Sequence, residues 1–144
     1  MLNLVLTAFY ERDLRKLIEE LRSFKDERNI WRTAGTVKNS CGNLVLHILG
    51  GSSFLIGRQL GGISYVRNRE QEFTMKDIPR DQLIVRLEQL ITLITSTLAT
   101  TNMEAEFPIP FDDAKRTNTY VVTQLALHLN YHLGQVNYLR RILE

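Results

Sequence analysis

The stretch TNTYVVTQLALHLNYHLGQVNYL, Thr117–Leu139, contains no Asp, Glu, Lys or Arg. Val121, Leu125, His128, His132, Gln135 and Leu139 recur at steps of three and four, the period that keeps one stripe of a helix facing a core. Three of those six positions are polar where leucines would ordinarily pack. A helix without charges in a water-soluble protein is usually buried on more than one side. A second charge-free window runs from Asn39 to Gly57, and between them the two windows hold all three histidines of the chain, His47, His128 and His132. The two helices are therefore expected to be the inner pair of an all-helical protein. Membrane insertion is the competing explanation for an uncharged helix. Thr, Asn, Gln and His recur too often in the second window for a continuous apolar span.

Outward from these windows, the rest of the chain reads the same way. From Leu2 to about Glu27, apolar residues fall at Leu6, Tyr10, Leu14, Leu17, Leu21 and Phe24, with charges on the other face. A helix from about Val37 to Leu60 carries Val37, Cys41, Leu44, Ile48, Gly51 and Leu55, is weakened locally at Gly50-Gly51 and stops at Gly61-Gly62. Pro79 opens a third helix that Leu83, Leu87, Leu90, Ile94 and Leu98 carry to about Thr100. The last begins near Asn118. Only three prolines and eight glycines interrupt 144 residues of 44% apolar content, which predicts an all-α single domain over residues 1–144. The expected architecture is a four-helix bundle with a long irregular connection, Ile63 to Ile78, between its second and third helices.

Charge excludes some functions. Eighteen basic against sixteen acidic residues leave a net charge of +2, and the basic residues are scattered, so no nucleic-acid footprint is present. Cys41 is the one cysteine and has no internal partner. With no secretory leader pattern at the N-terminus, a reducing, cytoplasmic setting is expected.

His128 and His132 lie four apart on one helix, about 6 Å along its axis and on one face. Burying unpaired imidazoles is costly, and neither window contains a carboxylate to pair with them. His47, between Leu44 and Ile48 on the other charge-free helix, can reach the same point. Three neutral imidazoles form a ligand set of the catalytic type, with a coordination position left open. The spacing excludes better-known sites. Leu129 follows His128 where the metalloproteases place Glu, and Leu44, Leu125 and Leu129 stand three residues before the histidines where di-iron bundles place Glu. A mononuclear site of net charge near +2 favours anionic ligands. Imidazole ligation suits Zn, Ni, Cu or Fe, with Zn or Ni the expectation.

Four segments carry a resemblance: NLVLHILG (Asn43–Gly50), RNREQEF (Arg67–Phe73), IPRD (Ile78–Asp81) and HLNYHLGQ (His128–Gln135). Together they resemble the DinB/YfiT-like superfamily of metal-dependent four-helix bundles, from about residue 35 to the end. The most specific element is one His on the second helix followed by His-x-x-x-His-x-Gly-Gln on the fourth. The resemblance implies a metal held by His47, His128 and His132, commonly in a homodimer. Characterised relatives include transferases that use bacillithiol, mycothiol or glutathione, and a maleylpyruvate isomerase. It therefore implies thiol-dependent transferase chemistry on a small-molecule substrate. A non-catalytic bundle with a structural metal and a metal-hydroxide hydrolase are the rival readings.

Around the triad, Asn43, Gln124 and Gln135 are candidates for orienting the imidazoles or contacting substrate. Gln135 is preferred because it shares the seam. Cys41 points away from His47 and is expected to be an inert buried thiol. The charged run Arg67, Arg69, Glu70 and Glu72 is ordinarily a solvated loop, with a role at the pocket mouth implied by the resemblance alone. Trp31, Phe107 and Phe111 are candidates for an apolar entrance, although loop aromatics more often pack over helix ends.

Overall fold

The first helix, α1 (Leu2–Ser23), buries the stripe Leu6, Tyr10, Leu14, Leu17 and Leu21 in the computed structural model, which describes all residues from Met1 to Glu144. It ends three to four residues earlier than the apolar rhythm predicts. Phe24 is buried in an extended conformation, and Glu27–Trp31 then form a separate 3-10 turn capped by Asp26. That turn drives Trp31 into the core, where Gly42 makes room for it: a Cβ at Gly42 would lie 2.6 Å from the indole ring. Trp31 is thus a packing residue, away from any entrance.

Helix α2 (Cys41–Ser52) starts four residues later than Val37, which is exposed. Ser40 decides the start. Its Oγ accepts from the Asn43 backbone N–H at 3.1 Å and donates to the Asn43 side-chain oxygen at 2.7 Å, a reciprocal cap of the first turn. Past Ser52 the helix widens into a π-turn over Ser53–Arg58.

The connection between α2 and the next long helix holds a short helix, α3 (Arg69–Thr74), in place of wholly irregular chain. Asn68 caps it by accepting from the Gln71 N–H. Helix α4 (Arg80–Thr100) follows Pro79 as expected, and α5 (Asn118–Leu143) is capped by Thr117. Helix α1 packs against α4 and α5, and α2 packs against α3, α4 and α5. The chain is all-helical, with five helices and only two isolated bridge pairs, Glu106–Thr117 and Phe111–Ala114.

The two uncharged helices differ in burial. In α2 every residue from Cys41 to Leu46 is buried. Helix α5 buries one side and leaves Leu127, Tyr131 and Tyr138 more than 60% exposed on the other, so it lies at the edge of the core and not at its centre. Helix α4 alone is long and apolar enough to cross a membrane. Its Leu83, Leu87, Leu90, Ile94 and Leu98 are packed in the protein core.

Candidate metal centre

Helices α2 and α5 bring His47, His128 and His132 together, with one ring nitrogen of each inside a sphere of mutual separations no larger than 4.8 Å. The i, i+4 spacing on α5 stacks His128 and His132 with their Nε2 atoms 2.9 Å apart. From α2, the His47 ring stands edge-on to both, with centroids 5.3 Å away. His132 is buried, His47 half-buried and His128 exposed.

The far nitrogens of two rings are already occupied. His132 Nδ1–H donates to Gln135 Oε1 at 2.7 Å, and His47 Nδ1–H donates to Glu72 Oε1 at 3.0 Å. Each bond fixes a neutral tautomer whose Nε2 carries a lone pair, the arrangement in which carboxylates and carbonyl oxygens orient metal-binding imidazoles. His128 has no partner on Nδ1, so its Nε2–H donates to the Nε2 lone pair of His132, and a cation bound here would take the place of that one proton. Nitrogens about 2.0–2.1 Å from one ion reach the observed separation of 2.9 Å at a right angle. The three histidines could therefore hold a metal ion. The partner groups on Nδ1 of His47 and His132, and the Nε2 lone pairs they leave directed inward, fit that group.

Glu72, expected only as part of a charged loop near the pocket mouth, is instead the buried partner of His47. Searching the two uncharged windows for a carboxylate finds none, because Glu72 enters from α3. Its side chain is buried, and Arg67 grips it with Nε at 2.9 Å from one oxygen and Nη2 at 2.9 Å from the other. A buried carboxylate held by a bidentate arginine keeps its geometry. Gly50 is what admits it: a Cβ there would overlap the Glu72 carboxylate. The signal available in sequence was the run Arg67–Phe73 itself, whose charges look like a solvated loop until the chain folds Glu72 inward. Phe73 of the same run stacks on His47 with centroids 5.0 Å apart.

The other candidates divide. Gln135 orients His132, as expected of a residue on that seam. Gln124 lines the pocket that His47 and His128 face. Asn43 does neither: its buried amide donates to the carbonyls of Glu72 and Met75 at 3.0 and 2.8 Å, anchoring the end of α3 to α2. It holds Glu72 in place through the backbone and has no contact with an imidazole. Phe111 lines the pocket, whereas Phe107 is buried. Cys41 is fully buried against the Val136 carbonyl, and burial pushes its thiol up to about 12. It is inert here, as expected.

Titration follows the same geometry. Burial lowers the pKa of His47, with the Glu72 hydrogen bond opposing. His128 is pushed down to about 4, first by partial burial and then by the neighbouring imidazoles of His132 and His47. Both shifts favour the neutral ring, which is the form that ligates.

A 290 Å³ pocket opens in front of His47 and His128, with Arg67, Arg69, Gln124, Phe111 and Asp112 in its walls. On the other side of the triad, His132 and Gln135 border a 480 Å³ groove with Lys38 and Tyr138. Another 480 Å³ hollow between α2, α3 and α4 backs onto Glu72 and contains none of the histidines. No protein-family model matches the chain, and no curated protein matches its sequence.

Proposed function

We propose that the chain is a metal-dependent enzyme of the DinB/YfiT-like kind, built as a four-helix bundle, that transfers a low-molecular-weight thiol to an electrophilic carbon of a small molecule. The observation that carries this reading is the triad with Nδ1 of two rings already occupied by Glu72 and Gln135 and an open pocket on the side of His47 and His128. His47, His128 and His132 would hold one divalent ion, Zn or Ni. Such an ion lowers the pKa of a thiol that enters its open face and keeps the anion close to the acceptor.

The protein's own groups do the rest. Glu72 and Gln135 hold the rings of His47 and His132 in the ligating tautomer, and Arg67 holds Glu72 in place. Arg69, which has no carboxylate partner, makes the pocket mouth attractive to anions. In the reaction the thiol proton passes to solvent, a carbon–sulfur bond forms and the acceptor's leaving group departs with its electron pair. Glu72 is spent on Arg67 and His47, so it serves as a positioning residue and not as a general base. That commitment favours thiol transfer over hydrolysis. The open pocket favours either over a closed structural metal.

The reading includes a cytoplasmic setting and a homodimer. The exposed stripe of α5 supports the dimer: Leu127 and Ile142, and inside them Tyr131 and Tyr138, are equidistant in sequence from the Gly134–Gln135 peptide. Antiparallel crossing at Gly134, where a Cβ would meet nothing, pairs Tyr131 with the partner's Tyr138. Sedimentation equilibrium of wild type and Tyr131→Lys checks this, with a monomeric wild type counting against it.

Metal analysis of protein purified without an affinity tag, followed by Co(II) substitution, tests the central claim. One ion per chain is expected, together with a sulfur-to-cobalt absorption band on adding a simple thiol and loss of both in His132→Ala. A folded protein that takes up no metal would overturn the proposal, and a cobalt spectrum that answers to carboxylates but to no thiol would move it to hydrolysis.

A further inference from the structure

The walls of the 290 Å³ pocket carry polar groups that the protein itself leaves unused. Arg69 lines it, and its guanidinium lies 5.4 Å from the Phe73 ring centroid with no carboxylate within ion-pair distance. The layering of Arg69 on Phe73 and of Phe73 on His47 holds that cation beside the triad by stacking alone, so its donors stay free. Arg67, in contrast, is ion-paired with Glu72 through Nε and Nη2.

Asp112 enters the same pocket from the connection between α4 and α5. Phe111 and Ala114 exchange both backbone hydrogen bonds, at 2.9 and 3.1 Å, around a two-residue turn in which Asp112 and Asp113 both have positive φ, 51° and 57°. Asp is common at the first such position, whereas Gly is usual at the second, where this chain has Asp113. The turn places Phe111 and Asp112 in the pocket wall, and the Asp112 carboxylate has no hydrogen-bond or ion-pair partner in the protein. Gln124, also in the wall, has a free side-chain amide.

We infer that this pocket selects a small dipolar ligand, one that presents a donor atom to the three histidines, an acidic group to Arg69, and an ammonium or similar donor group to Asp112 with Gln124 beside it. The inference rests on the metal-binding reading above and adds which functional groups the ligand must carry. A cavity near the lower end of the range for small-molecule sites limits the ligand to a few functional groups. An unpaired cation and an unpaired anion lining one pocket favour a molecule carrying both charges over one carrying either alone.

Three thiols separate the contributions on the Co(II)-loaded full chain: cysteine carries both groups, cysteamine lacks the acid and 3-mercaptopropionate lacks the ammonium. Each is titrated while the sulfur-to-cobalt band is followed. In wild type, cysteine is expected to bind about tenfold more tightly than either truncated thiol. Arg69→Gln should abolish the preference over cysteamine, and Asp112→Asn the preference over 3-mercaptopropionate. Comparing ratios between variants cancels any chelation of cobalt by the amino group. Both substitutions leave the three histidines intact, so cobalt uptake should be unchanged, and Asn suits the positive φ of position 112 at least as well as Asp. Equal ratios in wild type and variants, with cobalt bound, would overturn the dipolar ligand while leaving the metal centre standing. A cobalt spectrum indifferent to all three thiols would overturn it together with the thiol chemistry. A wild-type protein that takes no cobalt would instead remove the metal reading on which it rests.

Discussion

Glu72→Gln keeps the shape of the side chain and removes the charge that Arg67 and His47 share. The amide still reaches His47 Nδ1, but it holds the ring less strongly and leaves Arg67 without its counter-ion. Roughly 10–100-fold weaker zinc binding is expected by isothermal titration, with helical circular dichroism retained. Affinity equal to wild type would show that the carboxylate does not orient the site. His47, His128 and His132 were legible in sequence because helical spacing is a local property and the windows around them contain no charge. Glu72 was not, since its role depends on α3 folding back onto α2 at Gly50, and no periodicity carries that information.

At the level of single elements, α2 and α3 are held together by contacts that two small substitutions should separate. Gly50→Ala adds one methyl group where the Glu72 carboxylate sits, so either α3 shifts or the carboxylate leaves His47. Zinc affinity should fall in the direction of Glu72→Gln although no polar group has been removed, and a wild-type titration would argue against the close approach. Ser40→Ala removes the N-cap of α2 and one partner of buried Asn43. A loss of about 1 kcal/mol in urea unfolding is expected; an unchanged midpoint would assign the helix start to packing alone. The position of this cap also explains the misjudged start at Val37. An apolar residue in phase with a stripe extends the apparent helix, whereas the terminus is decided by which side chain satisfies the first free N–H groups. The same competition shortens α1, where Phe24 remains in the core by turning extended.

For the whole molecule, stability should follow the ionisation of the triad. His47 and His128 have folded pKa values below the unfolded value, His128 at about 4. Between that value and the unfolded pKa of about 6.5 the unfolded chain binds more protons than the folded one. Metal-free protein should therefore keep its full stability above the unfolded value and lose it as pH falls toward 4. With metal bound, protons compete for the same nitrogens, so the stabilisation should be present at pH 8 and largely gone at pH 5. Thermal melts with and without chelator at both values measure this. A chelator effect of equal size at pH 5 and pH 8 would exclude histidine ligation.

The helical class, the core stripes of α1 and α4 and the pairing of His128 with His132 are all written into local periodicity, since each follows from apolar and polar residues recurring at the period of one helix. Tertiary structure alone decided which groups the histidines would meet. It brought Glu72 and Arg67 to His47, committed Asn43 to anchoring α3, moved Trp31 into the core, left one face of α5 open and placed Arg69 and Asp112 in the lining of one pocket. These partners come from segments far apart in the chain. Their meeting depends on how helices pack and where a missing Cβ lets them approach, which local sequence periodicity does not encode.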